Sequence, residues 1–368
     1  MTTLSQALAD FSQSPYQETN ANIVMNAFKG VTQVLNEYDA NLKTLMEQTK
    51  NDLSVAVEDI NTKLDQLSEL NSSIAHEIFS NNDYDGVNYG PNDLLDQRNV
   101  ILDDLSRYGD VQVTDLEDGK IQVKINGKVV VDASGASYTN DKLNIGSDGV
   151  TLTWNSNNQN ANLGAGAIRG FTDMLTGADP INAGIPYYQN KMDNFAQTLA
   201  DVFNNKIHAD DPDFPDKYKF LLQGGVDGKV TAGNISISDQ WADDVSYIIR
   251  KQNPDGELDN QDILDMKAAF EQDFNFGGEY TGTFSEFITS VTNTLGSGIK
   301  TNSARMSASL AIAESADSER MGVSGVSLNE EGISMMTYNK AYQALGRLMT
   351  TMDEQLDMII NKMGIVGR

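Results

Sequence analysis

An apolar stripe with a period of 3.5 residues runs through residues 20–79. Its members recur at alternating steps of 4 and 3, pause at the polar Thr49, and then resume. A period sustained in this way is typical of a helix that buries one long seam, as in a coiled coil. Roughly 60 helical residues span about 90 Å, and no proline interrupts them between Pro15 and Pro91. We therefore predict a rod with a seam formed by Val24, Phe28, Val31, Leu35, Tyr38, Leu42, Leu45, Leu53, Val57, Ile60, Leu64, Leu67, Ile74 and Ile78.

Turn-forming residues at 81–91 end this rod, and a short helix is predicted from Asn92 to about Tyr108. Asn92 is the expected N-cap, and Asp93 complements the positive end of the helix dipole. The polar residues of NDLLDQRNVILDDLS (92–106) could line a catalytic or metal site, or form a helix edge without chemistry. We interpret them as an edge, with Arg98 paired to Asp93 or to a nearby backbone carbonyl. The side chains expected to face the core are Leu94, Leu95, Ile101, Leu102 and Leu105.

The apolar period changes from 3.5 to 2 between residues 109 and 160. Alternation of this kind predicts strands with one buried face. Three dipeptides typical of hairpin turns separate the alternating segments: Asp118-Gly119, Asn126-Gly127 and Asp148-Gly149. We predict a small antiparallel β domain here.

The next two segments have weaker patterns. Residues 161–208 begin with glycine-rich NLGAGAIRGF and continue with Phe195, Leu199 and Phe203 at helical spacing. Residues 209–283 mix turns with a short strand pair and a helix near 260–274, which indicates an irregular lobe.

Helical spacing returns at Phe284 and, after a turn at MGVSGVSL (321–328), in a last helix over about 335–363. The last helix again carries apolar residues at alternating steps of 4 and 3. Because an apolar seam has to be buried, we predict that it packs against the N-terminal rod or a neighbouring subunit. The residues of this predicted partner-binding surface are Tyr338, Tyr342, Leu345, Met349, Met352, Leu356, Ile359 and Met363.

Together these patterns predict an α+β fold in which a long, coiled-coil-like helical stalk from both chain ends carries β-rich insertions. The predicted domains are a stalk (1–108 and 284–334, with the helices of 161–208 packing on it), a β domain (109–160), a mixed lobe (209–283) and a C-terminal helix (335–368).

Composition narrows the classes of partner. The chain has 26 basic and 53 acidic residues and a formal net charge of −27, which disfavours nucleic acid and anionic membrane surfaces. The absence of cysteine excludes disulfides, thiolate catalysis and thiolate-bound metals. No apolar run reaches the ~20 residues of a membrane span, and the N-terminus lacks the features of a cleavable signal. We expect a cytosolic protein, one exported without a cleaved signal, or a chain whose natural start lies upstream.

Two features of the sequence could indicate a metal site, namely an acidic turn and the two histidines. NNDYDG (81–86) resembles the start of a calcium loop, but Asn92 stands where a bidentate Glu would supply two oxygens. We interpret it as an acidic turn without a metal. His76 and His208, the only histidines, lie far apart in sequence and are interpreted as solvated residues.

The sequence contains no recognisable catalytic or dinucleotide-binding motif. Gly164, Gly166 and Gly170 do not match the dinucleotide fingerprint, because the third glycine comes one residue late. They are interpreted as a turn into a helix. Acid pairs such as Asp103 and Asp104 are expected by chance among 53 acids, and no serine lies in a nucleophile motif. We predict a protein that is not an enzyme and has no cofactor.

Several stretches resemble flagellar hook-associated proteins of the FlgK type. The most specific are NDLLDQRNVILDDLS (92–106) and SGVSLNEEGISMMTYNKAYQALGRLMTTMDEQLDMIINKMG (324–364). FSQSPYQETNANIVMNAFKGVTQVLNEYDANL (11–42) is similar as well, and NLGAGAIRGFTDML and VTAGNISIS match more weakly. The resemblance spans nearly the whole chain.

This resemblance implies a structural adaptor between the flagellar hook and filament, exported unfolded by the flagellar type III apparatus and built into a ring of its own copies. Its implied partners are the hook protein, the second junction protein and a cytosolic export chaperone that holds the C-terminal helix. The region 109–283 would then face outward.

The family's opening helix, which pairs with the C-terminal helix, has no counterpart before MTTLSQALADF. We therefore expect the C-terminal helix to be frayed, disordered or packed on another molecule. Two alternatives stay open, namely another axial protein (second junction protein or filament cap) and an extracellular binding module or adhesin. Calcium binding at 81–93 would favour the latter.

Overall fold

The computed structural model describes residues 1–81, 91–133, 139–207, 220–225, 228–249 and 260–358. The chain divides into two units, Met1–Leu295 and Gly296–Arg368, which are described separately. The helices are α1 (Thr2–Gln13), α2 (Glu18–Asn81), α3 (Asn92–Ser106), α4 (Gly166–Thr176), α5 (Ile185–Asn204), α6 (Asp239–Asp243), α7 (Gln261–Ala268), α8 (Phe284–Ser324) and α9 (Leu328–Asp357).

All the described strands are short. They are β1 (Val111–Asp115), β2 (Ile121–Ile125), β3 (Lys128–Asp132), β4 (Thr139–Asn140), β5 (Leu143–Ile145), β6 (Leu152–Trp154), β7 (Leu222–Gln223), β8 (Ser236–Ile237), β9 (Phe274–Phe276) and β10 (Tyr280–Gly282). Long helices towards both chain ends with small sheets between them confirm the predicted α+β fold. The finer division into stalk, β domain and lobe stays a prediction.

Helix α2 is the predicted rod, with 64 residues in one continuous helix. Much of its apolar seam is covered by other elements of the same unit, and each half of the helix has its own core. The heptad pattern therefore predicted the helix correctly but did not specify what covers it.

The first core joins the N-terminal half of α2 to α1, α5 and residues 221–287. Aromatic rings dominate it. Phe28 of α2 meets Phe203 of α5 edge-on at 4.9 Å between ring centroids, and meets Trp241 of α6 at 5.4 Å. Edge-to-face contacts of this kind add to the free energy gained by burying the rings.

The second core joins the C-terminal half of α2 to α3, α4 and strands β2, β3, β5 and β6. Leu53, Ile60, Leu64 and Leu67 of α2 are fully buried in it. Between the two cores, residues 36–52 of α2 bury only Asp39 and Thr49. The predicted seam is thus interrupted here, because an apolar spacing defines a helix face but not the neighbours that cover it.

The β region follows the hairpins predicted from sequence. Strands β1–β4 form an antiparallel sheet in sequential order, and β5 pairs antiparallel with β6. Asn126 and Gly127 have φ angles of 49° and 79° in the β2–β3 turn, as a tight turn matched to the strand twist requires. Asp118-Gly119 and Asp148-Gly149 lie in the β1–β2 and β5–β6 connections, so all three predicted turns are confirmed.

Helix α3 departs from the prediction at its first residue. Pro91 is the N-cap, Asn92 is already helical, and no side chain caps the helix. The Pro91 carbonyl accepts from the amides of Leu94 and Leu95, so the chain enters the helix one residue early. Of the five side chains expected in the core, Leu105 is fully buried and the others are partly buried. The predicted role of Arg98 is confirmed, because its guanidinium donates to the Gly119 carbonyl at 2.6 Å.

The glycine-rich stretch is a turn into α4, as predicted. Gly166 opens the helix with φ 74°, and a Cβ there would lie 2.4 Å from the carbonyl carbon of Tyr108. The lobe contains two strand pairs, β7–β8 and β9–β10, rather than one, together with the predicted helix near residue 260. His76 is exposed on α2. His208 and most of the calcium-like turn lie outside the described residues.

Candidate assembly surface

Helix α9 carries the predicted partner-binding stripe. It begins at Leu328, earlier than expected, because the Ser327 hydroxyl accepts a hydrogen bond from the Glu330 amide. Glu330 and Glu331 in the first turn add the negative charge that a helix N-terminus favours. The helix then continues without a break to Asp357, so residues 328–357 are helical rather than frayed.

The apolar stripe of α9 lies fully open. Because its residues recur at steps of 4 and 3, they fall within a sector of about 80° on the helix surface. None of the described residues of α9 is buried. The exposed fractions are 75% for Tyr338, 79% for Tyr342, 59% for Leu345, 68% for Met349, 54% for Met352 and 49% for Leu356. Ile359 and Met363 lie outside the described residues, so their assignment to the stripe stays a prediction.

The opposite face of α9 carries charged residues together with the exposed apolar residues Ile333, Met336 and Met358. Lys340, Arg347 and Glu354 recur there at steps of 7, and Thr351 lies on the same side. A helix with a heptad apolar stripe and charged residues on its other side normally lies with the stripe against another surface. The seam of α2 shows the contrast, since Ile60 and Leu64 follow the same kind of spacing and are fully buried.

The segment that carries the stripe differs from the rest of the chain in net charge. Residues 296–368 have 7 basic and 8 acidic residues, so their net charge is −1. Residues 1–295 have 19 basic and 45 acidic residues, which gives −26. Nearly the whole negative charge therefore lies outside the segment that carries the stripe, and copies that approach through this segment meet little repulsion from it.

Further apolar residues are exposed on α8 and α2, although the sequence does not predict their exposure. On α8 these include Ile299, Met306, Leu310 and Met321, which are more than half exposed. On α2, Tyr38 and Leu45 belong to the predicted buried seam but are 56% and 37% exposed. Helical periodicity identifies such residues as a face, whereas their exposure depends on elements that are remote in sequence.

No group of three or more His, Asp or Glu side chains in the described part of the chain could hold a metal ion. One hollow of about 470 Å³ lies between α2 and α3, and another of about 450 Å³ lies beside Lys191. Lys191 is satisfied there by Glu279 and the ring of Tyr187. In the described residues, no helix is long and apolar enough to cross a membrane.

The clearest pKa shifts arise from hydrogen bonds at turns and at contacts between elements. Hydrogen bonds from the Thr151 hydroxyl and from the amides of Thr151 and Val150 lower the pKa of Asp148 to about 2. The hydrogen bond that Tyr108 donates to Asp59, at 2.8 Å, raises the pKa of Tyr108. Both pairs hold the backbone near the β region.

Comparison with known proteins identifies the family. A family model for the helical domain of the flagellar hook-associated protein FlgK matches residues 1–216, and a model for the C-terminal region of the flagellar basal body rod proteins FlgEFG matches residues 318–362. The second match includes the stripe of α9 from Tyr338 to Leu356. Flagellar hook-associated protein 1 of Bacillus subtilis (strain 168) is 25% identical over 398 residues, which cover 98% of this chain and 75% of that protein.

A solved structure of the flagellar hook junction protein FlgK from Burkholderia pseudomallei is also similar, with 20% identity and a TM-score of 0.44. This match covers 56% of the chain and 36% of the solved chain, so it spans about a third of that structure. The first family match covers more than half of the sequence. The chain therefore belongs to the FlgK family of flagellar hook-associated proteins, the structural components of the bacterial flagellum at the hook–filament junction.

Proposed function

We propose that the chain joins hook to filament as one subunit of a ring and that the stripe of α9 is its principal assembly surface. The proposed neighbours are the hook protein, the second junction protein and further copies of the chain. The observation that carries this proposal is the open heptad stripe from Tyr338 to Leu356. Exposed apolar stripes of this length are unfavourable in water and mark surfaces that are buried in an assembly.

The composition of the stripe suits more than one partner. Methionine side chains are flexible and polarisable, and they adapt to surfaces of different shape. Met349 and Met352 stand in the middle of the stripe beside Leu345. This adaptability supports a second proposed role, in which an export chaperone covers the same stripe in the cytosol before the chain is exported without a cleaved signal. The chain needs no catalytic, nucleic-acid-binding or membrane-binding activity for this role.

A pair of matched variants tests the surface. Leu345→Asp places a carboxylate in the stripe, and Thr351→Asp places one on the opposite face of the same helix. Each purified variant is mixed with isolated hooks, and the bound fraction is measured by co-sedimentation. We expect Leu345→Asp to lose binding and Thr351→Asp to bind like the unmodified chain. Equal binding by both variants would contradict the proposed surface.

The chaperone proposal has its own test. A chain without residues 335–368 should no longer co-purify with a chaperone from a flagellate cell, whereas Thr351→Asp should. If the shortened chain retains the chaperone, the stripe is not the chaperone site.

A further inference from the structure

Four exposed apolar side chains lie along one side of α2. Ile23, Val34, Tyr38 and Leu45 are 51%, 49%, 56% and 37% exposed, and we call them the α2 strip. They are separated by steps of 11, 4 and 7 residues. Eleven residues are close to three full turns of an α-helix, so this spacing stays on one side of a straight helix. The strip extends for about 33 Å.

A second strip of the same kind lies on α8. Ile299, Met306, Leu310 and Met321 are 62%, 69%, 56% and 64% exposed, and we call them the α8 strip. Their steps are 7, 4 and 11 residues. Leu295 prolongs the strip, whereas the exposed Ile312 and Val323 lie about 130–150° away around the helix.

The two spacings are the reverse of each other. If α8 is placed antiparallel to α2, all four pairs of apolar side chains come opposite one another. Ile23 then faces Met321, Val34 faces Leu310, Tyr38 faces Met306, and Leu45 faces Ile299. A parallel arrangement does not bring all four pairs into register.

Charge supports the same orientation. Glu37 precedes Tyr38 by one residue, and Arg305 precedes Met306 by one residue. Each is therefore turned by about 100° to the same side of its own strip. In an antiparallel pair these two sides meet, whereas in a parallel pair they lie on opposite edges. Among the described residues, neither Glu37 nor Arg305 has an ion-pair partner.

The charge around the first part of the α8 strip is complementary as well. The α8 segment 296–313 contains Lys300 and Arg305 and no acidic residue, whereas the stretch that follows, up to Met321, contains Glu314, Asp317, Glu319 and Arg320. The basic first part of a neighbour's α8, around Arg305, is thus attracted to the acidic first unit, whose net charge is −26.

We propose that the α8 strip of one copy packs antiparallel on the α2 strip of a second copy, with Arg305 beside the neighbour's Glu37. Both strips are exposed within one chain, so a second copy supplies the missing partner for each. The contact is heterologous, because it joins two different surfaces, and a heterologous contact can repeat around a closed ring. The inference rests on the proposed assembly from copies but uses residues outside the α9 stripe.

The absence of cysteine permits a clean cross-linking test. A chain with Tyr38→Cys is mixed with a size-tagged chain with Met306→Cys under oxidising conditions, and disulfide-linked heterodimers are measured on gels. The control mixes Tyr38→Cys with Ile299→Cys, whose side chain would lie about 10 Å away along the helix, beyond disulfide reach. We expect at least tenfold more heterodimer from the first mixture. Equal yields would overturn the proposal.

A chain with both Tyr38→Cys and Met306→Cys shows whether the α2 strip is covered by the chain's own α8 or by the α8 of a second copy. At low concentration, an intrachain disulfide with no linked dimers would show that the chain's own α8 covers the α2 strip, and would also overturn the proposal.

Exchanging the charges of Glu37 and Arg305 gives a second test, in which self-association is measured by sedimentation. Glu37→Arg or Arg305→Glu alone should weaken self-association by about two- to fivefold, and an equal mixture of the two single variants should restore part of it.

The outcomes separate this contact from the α9 surface. If cross-linking succeeds while Leu345→Asp still binds hooks, the α2–α8 contact stands and the proposed role of α9 fails. If Leu345→Asp loses binding but no specific cross-link forms, the α2–α8 contact fails alone.

Discussion

The side-chain amide of Asn71 forms two hydrogen bonds with the backbone of Ile121. Its nitrogen donates to the Ile121 carbonyl at 2.9 Å, and its oxygen accepts from the Ile121 amide at 3.1 Å. Asn71 is fully buried on α2, and Ile121 begins strand β2. Asn61 forms the same pair of bonds with Leu143 of β5. Two asparagines of one helix thus act as strand partners and fix both sheets to α2.

Replacing Asn71 with Leu should destabilise the fold strongly. The substitution leaves the amide and carbonyl of Ile121 buried without partners, at a cost of about 2–4 kcal/mol in the free energy of unfolding. Chemical denaturation followed by circular dichroism measures the loss. Asn41→Leu, on an exposed part of the same helix, is the control and should change stability by less than about 0.5 kcal/mol. Similar losses for both variants would show that the Ile121 pairing contributes little.

Two glycines of α4 should respond to alanine in opposite directions. Gly166 has a positive φ and faces the backbone of Tyr108, so Gly166→Ala should destabilise the protein by at least about 2 kcal/mol. Gly170 has open space around it, and Gly170→Ala should stabilise the protein by about 0.5–1 kcal/mol. Thermal melting of the two variants gives the comparison. A neutral Gly166→Ala would indicate that the α3–α4 joint can open without cost.

The pKa of Asp148 should be measurable and should depend on Thr151. Its folded pKa of about 2 lies below the usual value of 3.8, since Thr151 and Val150 donate to the carboxylate. This group therefore contributes stability above the unfolded pKa and loses it as the pH falls through about 2. A carbon NMR titration of the carboxyl group gives the pKa. Thr151→Val should move it towards the usual range, and an unchanged value would mean that the hydroxyl is not the main cause.

The two cores of the first unit should lose their protection against amide hydrogen exchange separately. Ile60→Ala removes buried methyl groups from the second core and should cost about 2–4 kcal/mol. Amide hydrogen exchange should then accelerate in β2 and β5 more than in α1 and α5, because residues 36–52 of α2 contribute no buried apolar side chain between the cores. Leu35→Ala, in the first core, should give the reverse pattern. Uniform acceleration in both variants would indicate one cooperative core.

Sequence reasoning succeeded where the signal is local. The heptad spacing from Val24 to Ile78 predicted α2, and Asn126-Gly127 predicted a hairpin turn, since both depend on residues close together in the chain. The sequence leaves Asp93 and a nearby backbone carbonyl open as partners of Arg98, and the structure shows the carbonyl of Gly119. Side-chain preference predicts Asn92 as the N-cap of α3, whereas the backbone bonds of the first turn make it Pro91.

The sequence by itself determined the long helices, the hairpin turns and the family resemblance, because residue spacing, turn chemistry and motif residues are properties of neighbouring positions. Only the tertiary structure decided which apolar faces are covered. Ile60 and Tyr38 belong to the same predicted seam, yet Ile60 is buried and Tyr38 is 56% exposed. The difference arises because coverage depends on elements brought in from elsewhere in the chain, such as α4 and the sheets above Ile60. Tyr342 on α9 has the spacing of a core residue and remains 79% exposed, which leaves it available to a partner.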